Sequence, residues 1–472
     1  MVRPVKAGDI QIHLASTNRW WRGAGWERDD PRLRAAAAAP FRYRAGALRD
    51  LSPGGLYVLR GPRRAGKSTE IAHAVVDLLQ GGVPSRNIVH AAVDGWRATD
   101  LRTLVMSAST TFLAGTTGRR YWFLDEITSV LGDWPNTIKN LRDNDAAFAD
   151  DTVVLTGSSA AGLHAARRAL AGRRGSATRT ERVLLPMRFT DVVATAARDL
   201  RAPEPVDARE LRSAPVRRTV TELLPYLPDL VGLWESYLRY GGFPQAVASW
   251  MTAGDLEPSF VDTLWDIVYG KAITGARFSA TQTGAMLVRL ARNLCSPLNV
   301  AQLAGEVDAA RATAADRLAD LTESFLIWPC HREQGLAPRL AAQTKWYFTD
   351  PVLARLAALR GIGNEPDLTQ LTQQQLGIAL LRNLDAAGAA DIADFGDVLH
   401  HRSRTGAEID FVGRRLDGVA LESKYVDGRW GREAQTLAAS PWQGVIATRS
   451  VTEWRDDVWA VPAPILAVLL GG

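Results

Sequence analysis

The sequence has little cysteine, little lysine and no long apolar run, and these shortages exclude several classes of protein. Its 472 residues include two cysteines, Cys295 and Cys330, too few to hold a chain of this length together by disulfides. The longest apolar stretch, residues 458–472, is shorter than the roughly 20 residues that span a bilayer. Residues 1–20 contain no continuous apolar segment of the signal-peptide kind. We therefore expect a soluble, cytoplasmic protein with no membrane partner.

Lysine is scarce although the chain is basic. Lysine and arginine together number 56, and the formal net charge is +5, too small an excess over this length to indicate nucleic-acid binding by itself. With 46% hydrophobic and 23% charged residues, the chain can bury several cores, which excludes intrinsic disorder. Because ammonium and guanidinium groups are not interchangeable at phosphate or catalytic sites, the surviving lysines are functional candidates. They are Lys6, Lys67, Lys139, Lys271, Lys345 and Lys424.

Five short, almost entirely apolar runs alternate with helical stretches in the first half of the chain. Such runs are typical of strands buried on both faces of a parallel sheet, with crossover helices between them. The pattern predicts an α/β core over residues 51–195. The five runs are 56–59, 88–93, 121–124, 152–155 and 183–185.

Four further segments differ from this core in their pattern. Residues 1–50 precede the core and are rich in tryptophan. Residues 196–295 show helical periodicity and are predicted to form a helical lid region. In residues 296–360, two helical patterns are followed by two strand-like runs, which is the outline of a winged helix. Residues 361–472 mix one helical stretch with strand-like runs and are predicted to form a separate α/β domain.

Residues 61–68 read Gly-Pro-Arg-Arg-Ala-Gly-Lys-Ser and fit the pattern GxxxxGK[ST]. A strand-like run precedes the segment and a helical pattern follows it, as in phosphate-binding loops. In such loops backbone amides surround the phosphates, the lysine contacts the β and γ phosphates, and the serine binds Mg²⁺. We therefore predict a P-loop NTPase core of the AAA/ASCE type that binds ATP and Mg²⁺. The predicted nucleotide-binding residues, with Lys67 also catalytic and Ser68 also a Mg²⁺ ligand, are Gly61, Pro62, Arg63, Arg64, Ala65, Gly66, Lys67, Ser68 and Thr69.

Two acidic residues, Asp125 and Glu126, follow the apolar run 121–124. In P-loop ATPases an aspartate in this place holds Mg²⁺, and the adjacent glutamate activates the water that attacks the γ-phosphate. An ordinary strand end followed by a loop would read the same way. The phosphate-binding loop upstream favours Asp125 as a Mg²⁺ ligand and Glu126 as the catalytic base.

Polar residues also follow the next apolar run, where Thr156 is succeeded by Gly157, Ser158 and Ser159. A polar side chain here would orient water beside the γ-phosphate, and we predict that Thr156 has this role; the alternative is an ordinary Gly-Ser turn. Four arginines downstream are candidates for an arginine finger on a neighbouring subunit's nucleotide, although a solvated charged surface explains any one of them. They are Arg167, Arg168, Arg173 and Arg174.

A series of motifs resembles, in order, the prokaryotic AAA-type ATPases that carry a C-terminal domain of unknown function with a PD-(D/E)XK nuclease-like fold. The resemblance covers nearly the whole chain and is most specific at the phosphate-binding loop and at the C-terminal motif. It implies an ATPase that forms homo-oligomers, with Arg173 as the best arginine-finger candidate. The motifs are 18–21 (NRWW), 61–68, 124–126 (LDE), 155–159 (LTGSS), 170–173 (LAGR), 241–244 (GGFP), 347–350 (YFTD) and 406–411 (GAEIDF).

The resemblance also assigns a possible second site to the C-terminal segment. In a PD-(D/E)XK nuclease, residues corresponding to Asp410 and Glu422 hold a divalent metal, and one corresponding to Lys424 positions the attacking water. Glu422 and Lys424 are two positions apart on a predicted strand and so share a face. Such nucleases usually place a glutamate on the preceding helix, where residues 373–375 are glutamines. Because neutral amides are weaker Mg²⁺ ligands, a domain kept for binding or assembly is an alternative to an active nuclease.

The winged-helix candidate gives mixed indications about nucleic acid. Its second helix, 310–320, carries two arginines and two aspartates, whereas a surface that follows phosphates should be positive. Arg332 and Arg339 in the predicted wing partly compensate, and a winged helix that serves only as a packing module is the alternative.

These observations leave three hypotheses. The first is an oligomeric Mg²⁺-dependent ATPase that couples ATP hydrolysis to binding or remodelling of nucleic acid, DNA rather than RNA. The second is a nucleotide-gated signalling or scaffold switch with a degenerate nuclease-like domain. The third is a metal-dependent nuclease regulated by ATP.

Overall fold

The computed structural model describes residues 5–157, 166, 169–197, 199–269, 279–387, 395–428 and 430–472. The chain divides into two compact units, Met1–Leu185 and Pro186–Gly472. The domain boundaries predicted at residues 51, 196, 296 and 361 stay predictions. Within the described residues, no helix is both long and apolar enough to cross a membrane.

A five-stranded parallel sheet with the order β2-β3-β4-β1-β5 is the centre of the first unit. All five residues of β1 and of β4 are buried, which explains why these runs are apolar throughout. The predicted parallel sheet is confirmed, and each predicted run overlaps one strand. The strands are β1 (Leu56–Arg60), β2 (Ile88–Ala92), β3 (Tyr121–Asp125), β4 (Thr152–Thr156) and β5 (Glu181–Val183).

Two apolar clusters in this unit contain side chains of the sheet together with side chains of helices and of the N-terminal segment. Ile10 and Leu14 of the first helix belong to one cluster, and Trp20 and Trp26 belong to the other. The helices are α1 (Ala7–Thr17), α2 (Pro31–Ala38), α3 (Lys67–Gln80), α4 (Ala98–Thr111), α5 (Trp134–Asn144) and α6 (Ala146–Asp150).

The N-terminal segment also covers the edge of the sheet at β2. The Asn18 side chain accepts a hydrogen bond from the His90 N–H (2.7 Å) and donates one to the His90 carbonyl (2.9 Å). The indoles of Trp20 and Trp21 both donate to the Ile88 carbonyl at 3.0 Å. An edge strand exposes unpaired backbone groups, and these side chains satisfy several of them.

The second unit begins with helices and continues into a three-stranded antiparallel sheet of order β6-β10-β7. Two helices followed by β7 and β10 occur in the predicted order, and a two-stranded hairpin lies between those strands. The winged-helix assignment stays a prediction. The helices are α7 (Phe189–Ala196), α8 (Ala214–Leu223), α9 (Leu227–Tyr240), α10 (Pro244–Ala253), α11 (Pro258–Tyr269), α12 (Ala280–Arg292), α13 (Val300–Glu306), α14 (Arg311–Glu323) and α15 (Pro351–Leu359). The strands are β6 (Pro297–Leu298), β7 (Ile327–Cys330), β8 (Glu333–Gln334), β9 (Ala337–Pro338) and β10 (Thr344–Phe348).

The last part of the unit contains a six-stranded mixed sheet of order β11-β12-β13-β14-β16-β15. Strands β13, β14 and β16 are parallel to one another, and the others pair antiparallel. Whether this is a nuclease-like fold stays a prediction. The elements are α16 (Leu368–Ala387), β11 (Leu399–Arg402), β12 (Glu408–Val412), β13 (Val419–Ser423), α17 (Gly431–Ala438), β14 (Gln443–Thr448), β15 (Glu453–Trp454), β16 (Val458–Pro462) and α18 (Ala463–Leu469).

Two motifs far apart in the sequence meet in this unit. Asp350 caps α15 by accepting the Val352 N–H at 2.9 Å, and its other carboxylate oxygen accepts the Gly242 N–H at 2.8 Å. A Cβ at Gly242 would lie 2.2 Å from the Met187 carbonyl oxygen, so only glycine fits. Complete burial raises the pKa of Asp350 to about 6.

Candidate functional site

The predicted phosphate-binding loop connects β1 to the N-terminus of α3. Gly61 has φ +146° and Gly66 has φ +105°, conformations that side chains rarely allow. A Cβ at Gly61 would lie 2.0 Å from the Leu184 carbonyl oxygen. Helix α3 begins at Lys67 directly after Gly66, so its first backbone N–H groups face the loop and favour an anion there.

Lys67 lies inside this loop. Its ammonium donates to the carbonyl oxygens of Gly61 at 2.9 Å and Pro62 at 3.0 Å, and the residue is 5% exposed. Burial lowers the pKa of Lys67 to about 8, although the carboxylates of Glu126 and Asp125 act in the opposite direction. This ammonium can exchange its two neutral carbonyl acceptors for phosphate oxygens, which are stronger acceptors.

The side chains of Ser68, Asp125 and Thr156 form a hydrogen-bond network at the ends of β3 and β4. The Ser68 hydroxyl donates to Asp125 Oδ2 at 2.8 Å, and the Thr156 hydroxyl donates to Asp125 Oδ1. Burial alone would raise the pKa of Asp125, but interactions with His90, Thr156 and Ser68 hold it below its usual range. The aspartate is therefore an anion next to the serine hydroxyl.

Glu126 follows Asp125 in a strained backbone conformation. Its φ is +58°, in the left-handed region that is costly for residues other than glycine and is often found at functional sites. The Glu126 N–H donates to the Thr156 hydroxyl at 3.1 Å. The buried Thr156 hydroxyl therefore joins Asp125 to Glu126 through its two hydrogen bonds. A direct contact between Thr156 and nucleotide stays a prediction.

The oxygens of this network fit a magnesium ion. A hydroxyl and a carboxylate, from Ser68 and Asp125, are the hard oxygen ligands that Mg²⁺ binds together with nucleotide phosphates and water. Sequence reasoning missed His90 on β2, whose Nε2 lies 3.9 Å from Asp125 Oδ2. The sequence signal for His90 was a single polar residue within the apolar run 88–93, which forms the strand that pairs with β3.

The arginine-finger candidates have different surroundings. Arg173 forms a bidentate ion pair with Asp143 (2.7 and 2.9 Å) on a half-exposed surface. Arg174 instead contacts Glu181 and the Thr180 hydroxyl of its own chain. Residues 158–159 and 167–168, which the sequence also singled out, lie outside the described residues. The two described candidates are about equally exposed, at 29% for the Arg173 side chain and 25% for that of Arg174.

The aromatic residues before the core pack within the first unit. Trp20 and Trp26 are buried, with ring centroids 5.1 Å apart, and Trp21 packs against Phe112. These contacts favour a packing role for the tryptophans.

In the second unit, the structure brings Asp410 and Glu422 together but gives Lys424 a different partner. The Asp410 N–H donates to Glu422 Oε2 at 3.1 Å, and Asp410 Oδ2 accepts the Ser423 N–H at 3.0 Å. Burial and the nearby Asp410 raise the pKa of Glu422. The Lys424 ammonium forms an ion pair with Glu433 at 2.9 Å.

Another lysine, Lys345 of β10, contacts these carboxylates. Its ammonium is 2.9 Å from Asp410 Oδ1 and also forms an ion pair with Glu408, and its side chain is 1% exposed. Burial would lower the pKa of Lys345, but the carboxylates of Asp410 and Glu408 outweigh burial and raise it. In the part of the chain that the structure describes, no group of three or more His, Cys, Asp or Glu is arranged to hold a metal ion.

Sequence reasoning missed Lys345 as part of this cluster, and the metal pair predicted at Asp410 and Glu422 does not fit the observed donor set. The scarcity of lysine was the signal that could have found it.

The predicted nucleic-acid surface is weakly charged. On α14, Arg317 is 2% exposed and donates to the Thr283 hydroxyl. Arg311 and Asp316 of this helix are exposed, and the Asp320 side chain is 48% exposed. In the hairpin region, the Arg332 side chain donates to the Arg402 carbonyl at 2.6 Å. This guanidinium therefore serves the contact with β11.

Two family models match parts of the chain. Residues 54–193 match an AAA domain, and residues 231–365 match a domain of unknown function, DUF8612. The first range contains the phosphate-binding loop, the Asp125 network and Arg173, so the match of residues 54–193 to an AAA domain agrees with the site described above. No curated protein matches the sequence.

Solved structures with some likeness include a Walker-type ATPase of Pyrococcus abyssi, at 12% identity over 76% of this chain and 99% of that one (TM-score 0.38). The Aeropyrum pernix Orc1 protein in complex with DNA has 14% identity over 78% of this chain and 98% of its own (TM-score 0.30). Thermotoga maritima RuvB has 12% identity over 60% and 84% (TM-score 0.26).

Proposed function

We propose that the AAA domain of residues 54–193 hydrolyses ATP to ADP and phosphate with Mg²⁺. The observation that carries this proposal is the network of Ser68, Asp125, Thr156 and Glu126 beside the loop that holds Lys67. This network and the Lys67 ammonium lie near the N-terminus of α3, and they are the groups that a phosphate-binding, Mg²⁺-dependent site would use.

Each residue has a separate part in this proposal. Lys67 exchanges its loop carbonyls for the β and γ phosphate oxygens, and the loop amides bind the remaining phosphate oxygens. Ser68 and Asp125 would hold Mg²⁺, which neutralises phosphate charge when it is bound. Glu126 accepts a proton from the attacking water, and Thr156 keeps Glu126 and Asp125 in register.

The proposal is tested by phosphate release from ATP with purified protein. Hydrolysis should require Mg²⁺ and stop when EDTA is added, because the phosphate charge is then not neutralised. A rate that is the same with Mg²⁺ and with EDTA would exclude this site as the source of the activity.

We further propose that the protein acts as a homo-oligomer in which Arg173 reaches the nucleotide of a neighbouring subunit. Its support is the partly exposed position of Arg173, where Asp143 holds the guanidinium near the surface. A cation at a surface can exchange its own partner for the nucleotide of a second copy of the chain, and the motif 170–173 favours Arg173 over Arg174, which pairs with Glu181.

For the output of the ATPase cycle, the sequence favours nucleic acid, with DNA before RNA, and the described surfaces favour a nucleotide-gated switch. On α14 the exposed Arg311 is outweighed by Asp316 and the partly exposed Asp320. In the predicted wing, Arg339 is exposed but Arg332 is engaged with β11, while phosphate-binding surfaces need net positive charge. We therefore propose a switch that acts through a protein partner.

The two outputs are separated by steady-state ATPase rates with single-stranded DNA, duplex DNA and RNA, at low and at physiological salt. The switch predicts the same rate with and without each nucleic acid. Salt-sensitive stimulation by one of them would establish the nucleic-acid motor instead, because counterion release makes such binding depend on salt.

A further inference from the structure

Three carboxylates and one ammonium meet between two sheets of the second unit. Glu408 and Asp410 are two positions apart on β12, and Glu422 of β13 accepts the Asp410 N–H. Lys345 reaches this group from β10, the central strand of the three-stranded sheet. Hard oxygen ligands at one point are what Mg²⁺ or Mn²⁺ needs, and here the positive charge among them belongs to a side chain.

Nitrogen donors occupy the oxygens of Asp410. Oδ1 accepts hydrogen bonds from the Lys345 ammonium at 2.9 Å and from Gln373 Nε2 at 2.6 Å, and Oδ2 accepts the Ser423 N–H. The same Gln373 nitrogen also donates to the Tyr347 hydroxyl at 2.8 Å. An ammonium carries no lone pair and cannot ligate a metal ion. Its hydrogens and those of the Gln373 amide lie against the Asp410 oxygen that a metal ion would need.

We propose that the ammonium of Lys345 is a built-in cation that occupies the carboxylate cluster of Glu408, Asp410 and Glu422 in place of a divalent metal. The cluster then joins the sheet of β10 to the sheet of β12, and it binds no Mg²⁺ or Mn²⁺ while Lys345 is present. A cluster that binds no divalent metal supports no metal-dependent cleavage activity in the C-terminal sheet.

The nearby Lys424 makes a matched control possible. Both lysines form ion pairs in the same part of the fold, but Lys424 contacts Glu433 and is 36% exposed, whereas Lys345 is buried against Asp410 and Glu408. Removing Lys424 takes away one positive charge without opening the cluster.

The experiment measures Mn²⁺ binding to the nucleotide-free full chain by electron paramagnetic resonance. The wild type and Lys424→Ala should show no Mn²⁺ binding that depends on Asp410. Lys345→Ala should gain about one bound Mn²⁺ per chain, because a hydrated cation can replace the ammonium. The gain should vanish in Lys345→Ala combined with Asp410→Asn.

Two results would overturn the proposal. One is Mn²⁺ binding by the wild type that is lost in Asp410→Asn, since the cluster would then accept a metal alongside Lys345. The other is a folded Lys345→Ala that gains no Mn²⁺. Folding is checked by circular dichroism. If Lys345→Ala does not fold, Lys345→Gln takes its place, because its neutral side chain retains more of the packing. A folded Lys345→Gln that gains no Mn²⁺ would then overturn the proposal.

Discussion

The Ser68 hydroxyl donates a hydrogen bond to Asp125 Oδ2 at 2.8 Å, although 57 positions separate the two residues in the chain. The contact joins the start of α3 to the end of β3. Because Thr156 binds the other oxygen of Asp125, the carboxylate is fixed in orientation before any nucleotide arrives. A preorganised ligand pair costs little to rearrange when Mg²⁺ and ATP bind.

Replacing Lys67 should weaken nucleotide binding. In Lys67→Ala the charge-assisted bonds to phosphate are lost, and the affinity for ATP should fall by about 10- to 100-fold. Lys139→Ala is the control, because Lys139 lies on α5 outside the proposed nucleotide-binding residues. Titration with a fluorescent ATP analogue measures both variants. Equal affinities would remove Lys67 from the site.

Arg173 and Asp143 form one ion pair, and mutating each partner separates a structural role from a catalytic one. If Arg173 acts on a neighbouring subunit's nucleotide, Arg173→Ala should lower ATP turnover by about 1,000-fold, while Asp143→Ala breaks the same pair and leaves turnover near wild type. Phosphate release is measured at a protein concentration where the oligomer is present. Equal losses in the two variants would assign the pair a structural role only.

The close approach at Gly242 predicts a large effect of one methyl group. Gly242→Ala should destabilise the second unit by about 2 kcal/mol or more, because a Cβ there would lie 2.2 Å from the Met187 carbonyl oxygen. Gly232→Ala is the control, since Gly232 is an exposed position in α9 with open space around it. That change should stabilise by about 0.5–1 kcal/mol. Chemical denaturation of both variants measures the difference.

Asp350 predicts a specific dependence of stability on pH. Its pKa is raised from 3.8 to about 6, so the native state holds this proton between pH 4 and 6 and the unfolded state does not. The contribution of Asp350 therefore falls as pH rises through this window, by about 3 kcal/mol in all.

The comparison with Asp350→Asn isolates this group. As pH rises from 4 to 6, the wild type should lose stability relative to Asp350→Asn, which has no carboxyl to ionise. Thermal midpoints of both proteins across this range give the difference. A difference that is constant with pH would mean that Asp350 titrates normally.

The sequence was most informative where a function depends on neighbouring residues. Segment 61–68 and the pair Asp125 and Glu126 could be found because strand, loop and helix follow one another in the chain. The parallel sheet was predictable for a similar reason, since strands buried on both faces are apolar throughout.

What the sequence did not reveal depends on contacts between distant residues. His90 and Lys345 each approach a carboxylate from another strand, and no local pattern indicates that approach. Arg317 could be counted as a positive charge but not placed, because its burial depends on how α14 packs. Residues 458–472 look like one apolar stretch, yet they contain the strand β16 followed by the helix α18. An apolar run without periodicity does not show where a strand ends and a helix begins.

The most direct test of the account is ATP turnover by Glu126→Gln. The amide cannot accept a proton from water. The account therefore predicts that this variant binds ATP with wild-type affinity and releases phosphate at least about 100-fold more slowly than the wild type. Glu222→Gln, at an exposed position on α8, is the matched control and should behave as wild type. Hydrolysis by Glu126→Gln at the wild-type rate would contradict the account.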